Sequence, residues 1–261
     1  MLSLLSISAW SYDFSEADIY FANRDSSIEP INKAMSLYEQ ALINQVTKSE
    51  KIHAVERLAW LSYYKGDLLT EKQNKKAREA IFSRCLQYVN EISPESLGQE
   101  VPEYYIWKSA CLSMWAHAVG SRAMGSLREL SQILSRGLKI GADYLDGNIY
   151  RIAAAVYSAD RRLSFFGLYN LSYAMNLIEK SYEYTQEVYF AYSVQAHALK
   201  HLGRSLDAIR LLETKIELLR KTIQNNANVG QFAPENKLEL NRMIQLLNDI
   251  RADNFDSDWE F

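Results

Sequence analysis

Between Tyr192 and Leu212 the chain reads YSVQAHALKHLGRSLDAIRLL, and this stretch decides the fold. Tyr192, Ala196, Leu199, Gly203, Ala208 and Leu212 succeed one another at gaps of four, three, four, five and four residues. Gaps of three and four keep side chains on one face of an α-helix. Tyr192, Ala196 and Leu199 therefore form one stripe of a first helix. Gly203 tolerates the positive φ at which helices commonly end. A second helix restarts beyond it and lays Ala208 and Leu212 back against the first. Ala196 and Ala208 are small where two helices must approach closely. The stretch predicts an antiparallel helical hairpin.

Fainter copies lie upstream. Val55, Ala59, Ser62 and Gly66 repeat the four-three-four gaps, followed after an insertion by Ala77 and Ile81. Trp107, Ala110, Cys111 and Met114 give another first helix. Tyr150, Ala153, Ala154 and Tyr157 give a third, closed after a longer insertion by Ala174 and Ile178. Helical periodicity extends over 30–46, 49–64, 104–120, 126–138, 147–158, 169–184, 187–202, 205–225 and 235–251. Thr70 with Gln73 reads as a capping box opening a further helix, which Ser93-Pro94 stops, and Pro102 suits a first helical turn. With ten Gly and four Pro in 261 residues, the chain reads as all-α, with about ten helices and short links.

These units, four of them over about 51–221, resemble the tetratricopeptide-repeat superfamily. The resemblance implies a right-handed superhelix of degenerate helical hairpins whose first helices line a concave groove, a fold that binds rather than catalyses. Insertions between paired helices put extra residues on one rim of such a superhelix. The order of parts carries a narrower likeness: Tyr63-Tyr64-Lys65-Gly66 ending a hairpin, the aromatic helix Tyr104-Tyr105-Ile106-Trp107, then Gly147-Asn148-Ile149-Tyr150-Arg151, a loop with Gly167, and the final hairpin. This is similar to the T component of tripartite (TRAP) solute transporters. It implies a periplasmic, trimeric partner of a solute-binding protein, with an apolar pocket or pore. Two departures stand against it: the family's lipobox cysteine is absent, and Asp160 to Phe166 lacks the proline expected before Gly167.

At 48% hydrophobic and 12% aromatic, the chain can bury a substantial core as one elongated domain or two compact ones. A net charge of −3 with both signs interspersed speaks against a general nucleic-acid binder. No apolar run approaches the roughly 20 residues that span a bilayer. Met1 to Trp10 reads like the apolar part of a secretory signal, with Ala9-Trp10-Ser11 as a cleavage site before Tyr12. No positive charge precedes it, so either the start lies upstream or the segment is a buried apolar arm. Export is the favoured reading, and a cytoplasmic location the alternative. Three regions follow: an arm over 1–25, a helical domain over 26–252 and an acidic-aromatic tail over 253–261. Cys85 and Cys111 fall on apolar faces and read as two small buried hydrophobes rather than a disulfide.

Fixing the register by the small residues turns Tyr105, Lys108, Trp115, Arg151, Phe190, His197, Lys200 and His201 towards the groove. Rings and cations together suit a protein partner's extended peptide, a C-terminal carboxylate, or a small apolar or anionic solute. The bland reading is ordinary surface polar residues and core aromatics. His197 and His201 stand four apart, but two ligands make no metal site, and no metal or other cofactor is expected. Arg161, Arg162, Phe165 and Phe166 mark an unusual loop, read equally as a lid or as an apolar staple. The tail alternates acids and aromatics; it reads as a frayed terminus, with docking into a groove as the other reading. Glycine-rich phosphate loops, zinc-ligand spacings and nucleophile elbows are missing, so the chain reads as a non-enzyme. Three hypotheses stand: an exported repeat protein that holds a partner and a solute, with a homo-oligomer as one form of it; a cytoplasmic adaptor that captures a peptide; and a helical hydrolase using His117 or the His197/His201 face.

Overall fold

The hairpin expected over 192–212 is present. Helix α10 (Phe190–His201) ends at Gly203, whose φ is 75°, and α11 (Ser205–Gln224) returns along it. Tyr192, Ala196, Leu199, Ala208 and Leu212 all lie in one buried cluster. The computed structural model describes residues 12–44 and 46–253, and these are all-helical. Before the hairpin come α1 (Ser15–Ala22), α2 (Ile28–Ile43), α3 (Lys48–Tyr63), α4 (Lys75–Asn90), α5 (Pro94–Leu97) and α6 (Pro102–Val119). Then follow α7 (Leu127–Ile140), α8 (Asn148–Ala159) and α9 (Leu171–Tyr184), and α12 (Ala233–Arg251) comes last. A π-helical turn, Tyr64–Leu69, continues α3. Among the described residues no helix is long and apolar enough to cross a membrane.

The helices form two rows. In the inner row α3, α6, α8, α10 and α12 each touch the next. In the outer row α4, α7, α9 and α11 each pack between two successive inner helices. The inner row then closes, because α12 also touches the π turn that follows α3. Small residues permit the inner crossings: Ala110, Ala153, Ala154, Ala155, Ala191 and Ala196 are all buried. Gly66 lets the outer helix α4 approach the turn after α3, since a Cβ there would lie 2.7 Å from Cζ of Phe82. Trp60, Tyr38, Tyr64 and Phe82 anchor the core, each contributing about 2–3 kcal/mol on leaving water.

Several local expectations need correction. Thr70 and Gln73 do not cap α4; Asn74 does, its side chain accepting from the Ala77 N–H, while the Thr70 hydroxyl donates to the Lys65 carbonyl. An asparagine in the cap position is an equally good acceptor, so the start moves four residues on. Ser93-Pro94 opens the short α5 instead of ending α4, with Ser93 capping it and Pro94 in the first turn. A capping box that the periodicity had hidden starts α3, Thr47 and Glu50 each bonding the other's backbone N–H. Cys85 and Cys111 are not two separate thiols but a disulfide tying α4 to α6, with Cα atoms 5.8 Å apart. Apolar surroundings suit a free thiol and a buried bridge alike, so the surroundings alone did not distinguish them.

The arm expected over 1–25 divides. Residues 1–11, with the signal-like segment and its cleavage site, lie outside the described residues. From Tyr12 onward the chain belongs to the core: Ala17 and Phe21 of α1 are buried, and Tyr12 and Phe14 pack on the same cluster. Of the tail only Asp253 is described.

Candidate functional site

The closed inner row surrounds a cavity. It holds about 830 Å³ of space between atoms, its open mouth included. Trp60 and Tyr63 come from α3, Trp107, Ala110, Ser113 and Met114 from α6, and Asn148, Ile152, Ala155 and Val156 from α8. Phe190 opens α10, with Val188 just before it, and Phe232, Glu235, Asn236 and Glu239 complete the wall at α12. An aromatic panel forms one side: the Trp60 ring centroid is 5.6 Å from Trp107 and 5.4 Å from Phe232. A concave, largely apolar space with a few convergent polar groups is the usual form of a small-molecule site.

The polar wall is built mainly by α12. Glu235 receives both arms of Arg24, Nε to Oε1 at 2.9 Å and Nη2 to Oε2 at 2.7 Å, and the Trp60 indole N–H at 2.7 Å. The Asn236 amide accepts from the Tyr189 N–H and donates to the Glu187 carbonyl, which fixes the entry of α10 against α12. Glu239 accepts from the Ser193 hydroxyl, and its other oxygen lies 3.8 Å from Arg242 Nη1, beyond a hydrogen bond. Arg242 instead gives its Nη2 to Asp67 at 2.8 Å, and Asp67 lies 3.6 Å from Arg78. Burial pushes the Glu239 carboxyl above the usual carboxylate range, and Arg242 opposes this.

Of the eight residues expected in a groove, the structure puts Phe190 on the cavity wall and the other seven elsewhere. The Tyr105 hydroxyl donates to Glu100 and the Lys108 ammonium to Asn90, with Glu129 at 3.3 Å. Trp115 packs partly buried on the cluster shared by α6, α7, α8, α9 and α10. Arg151 is fully buried behind the cavity and donates to the carbonyls of Asp146 and Leu145. Those two residues and Gly147 all have positive φ, so Arg151 clamps the turn that leads into α8. Its guanidinium lies 5.4 Å from the Phe232 ring. Lys200 pairs with Asp253 at 2.8 Å. The cations Lys108, Arg151 and Lys200 thus have separate local partners and do not converge.

His197 and His201 do meet, with their Nε2 atoms 3.2 Å apart. Burial, then the neighbouring ring, holds the His197 imidazole well below its ordinary value. Among the described residues no group of three metal-ligating side chains is found. Arg161 to Phe166 forms a 3-10 turn capped by Asp160, which also pairs with Arg162. Leu163 and Phe166 pack on a core cluster, as an apolar staple does, while Phe165 is 87% exposed. None of these loop residues lines the cavity.

Sequence reasoning missed Trp60, Trp107, Phe232, Glu235 and Glu239 as wall residues. One signal was available on α12, where Asn236, Glu239, Met243, Leu246 and Ile250 follow at gaps of three, four, three and four and all are buried. Two polar residues heading an otherwise apolar stripe point to a polar spot inside the fold. In comparison with known proteins, no family model and no curated protein matches this chain.

Proposed function

We propose that this chain is a non-catalytic binding protein of the tetratricopeptide-repeat type, exported, which holds a small apolar solute and is itself bound by a protein partner. The observation that carries the solute part is the largely apolar cavity walled by Trp60, Trp107, Phe190 and Phe232. Inner helices alternating with outer ones support the repeat reading, because each outer helix bridges two inner neighbours. The Cys85–Cys111 bridge supports export, since disulfides persist in oxidising compartments. The return of α12 to α3 argues against the adaptor alternative, which needs a groove open along its length for an extended peptide. Partnership with a solute-binding protein, in the manner of a TRAP T component, rests on the likeness in the order of parts.

The test is native mass spectrometry of protein purified gently from its own host, beside an Ala155→Phe variant that fills the cavity. The expected result is a small-molecule mass carried by the wild-type chain and lost from the variant. A wild-type chain that carries nothing, or a variant that retains the same mass, would overturn the cavity reading. A co-purifying solute-binding protein supports the transporter-like partner, and a cytosolic peptide-bearing protein in its place would sink it.

A further inference from the structure

The polarity of the cavity wall is one-sided. No lysine, arginine or histidine is among its lining side chains, whereas two carboxylates are. Glu235 is balanced by the paired bonds of Arg24. Asn236 has spent its amide on the backbone of Tyr189 and Glu187. Glu239 differs. It is 4% exposed, it takes one hydroxyl from Ser193, and Arg242 Nη1 stands 3.8 Å away while the other guanidinium nitrogen bonds Asp67. A carboxylate offers about four acceptor positions, so Glu239 retains acceptor capacity at the wall of a largely apolar space.

We propose that the solute is an apolar molecule bearing a protonated amine, its ammonium seated on Glu239 and its body among Trp107, Met114, Ile152, Phe190 and Phe232. This rests on the reading of the cavity as a solute site. An ammonium brings three donors and a compensating charge to a desolvated carboxylate. A carboxylate ligand would face two acids with no lining cation, which disfavours the anionic solute expected from the sequence. A neutral alcohol supplies one donor and brings no further positive charge to Glu239. The groups that surround Glu239 agree with this. Tyr63, Asp67, Lys72, Ser193 and Arg242 face it from α3, the following turn and loop, α10 and α12, and burial still outweighs the cations in raising its carboxyl. A further cation at that point returns it to the ionised form.

The experiment is isothermal titration calorimetry of the full chain with octylamine, octanol and octanoate. The amine is expected to bind about tenfold more tightly than the alcohol, the worth of one charge-assisted contact, with octanoate weakest. Glu239→Gln is expected to bring amine affinity down to that of the alcohol, and Ala155→Phe to abolish amine binding. Octanol equal to the amine, or octanoate the tightest, overturns the amine assignment and leaves the cavity reading standing. Amine binding that survives Ala155→Phe lies outside the cavity and also overturns it. If none of the three binds and the native chain carries no solute, both readings fall. Should Glu239→Gln fail to fold, the wild-type ranking and Ala155→Phe still decide.

Discussion

Arg24 and Glu235 stand 211 residues apart in the chain and meet as a two-pronged ion pair, Arg24 being 3% exposed. Arg24 also donates to the Phe21 and Gln231 carbonyls, and its guanidinium lies 5.2 Å from the Trp60 ring. One side chain thereby ties α1, α3 and the start of α12 together.

Removing one member of a buried pair leaves an uncompensated charge. Arg24→Met is expected to lower stability by about 3–5 kcal/mol in urea denaturation. Arg24→Met with Glu235→Gln should cost clearly less than the sum of the two single changes, because the pair is coupled. Strict additivity would show that the contact carries no energy.

The bridge between Cys85 and Cys111 closes a loop of 26 residues, worth about 3.5 kcal/mol from chain entropy. Thiol titration in denaturant is expected to find no free thiol before reduction and two after. Reduction should lower the denaturation midpoint by a corresponding amount. Two thiols in unreduced protein from its own host would contradict both the bridge and the oxidising location.

His197 gives the molecule an acid-sensitive side. Its imidazole is held well below 6.5 in the folded state by burial, so the unfolded chain binds the proton first. The stability it protects is therefore complete above pH 6.5 and is lost as pH falls through the range below it. As pH falls below 6.5 the wild type is expected to lose more stability than His197→Gln in urea denaturation. Equal losses in the two proteins would mean that His197 titrates normally.

Ala208 is fully buried where α11 crosses α10. Ala208→Leu should overpack this crossing and cost about 1–3 kcal/mol in thermal or chemical denaturation. A variant that melts with the wild type would show the crossing to be loose.

The helices were legible because their signals are local. The gaps from Tyr192 to Leu212 and the position of Gly203 state a hairpin within one short stretch, and the hairpin formed there. The site was not legible in the same way, because its wall is made by elements distant in sequence. Trp60 finds Glu235, and Asp67 finds Arg242, only when α12 returns to α3. The charges on the helices did not mark the cavity either, for a related reason. Lys108, Arg151 and Lys200 each have a partner that periodicity does not encode: a side-chain amide, two turn carbonyls and a residue of the tail. A cation on a helix says little about a ligand until its neighbours are known.

The closure of the inner row also orders events during synthesis. Trp60 and Glu235 are 175 positions apart, so the indole leaves the ribosome long before its acceptor exists. Without α12 the cavity of the full fold lacks Phe232, Glu235, Asn236 and Glu239, which share its wall with Trp60, Trp107 and Phe190. It is α12 that completes the wall. A chain truncated before α12 would leave this apolar lining uncovered, the kind of surface that chaperones and proteases recognise.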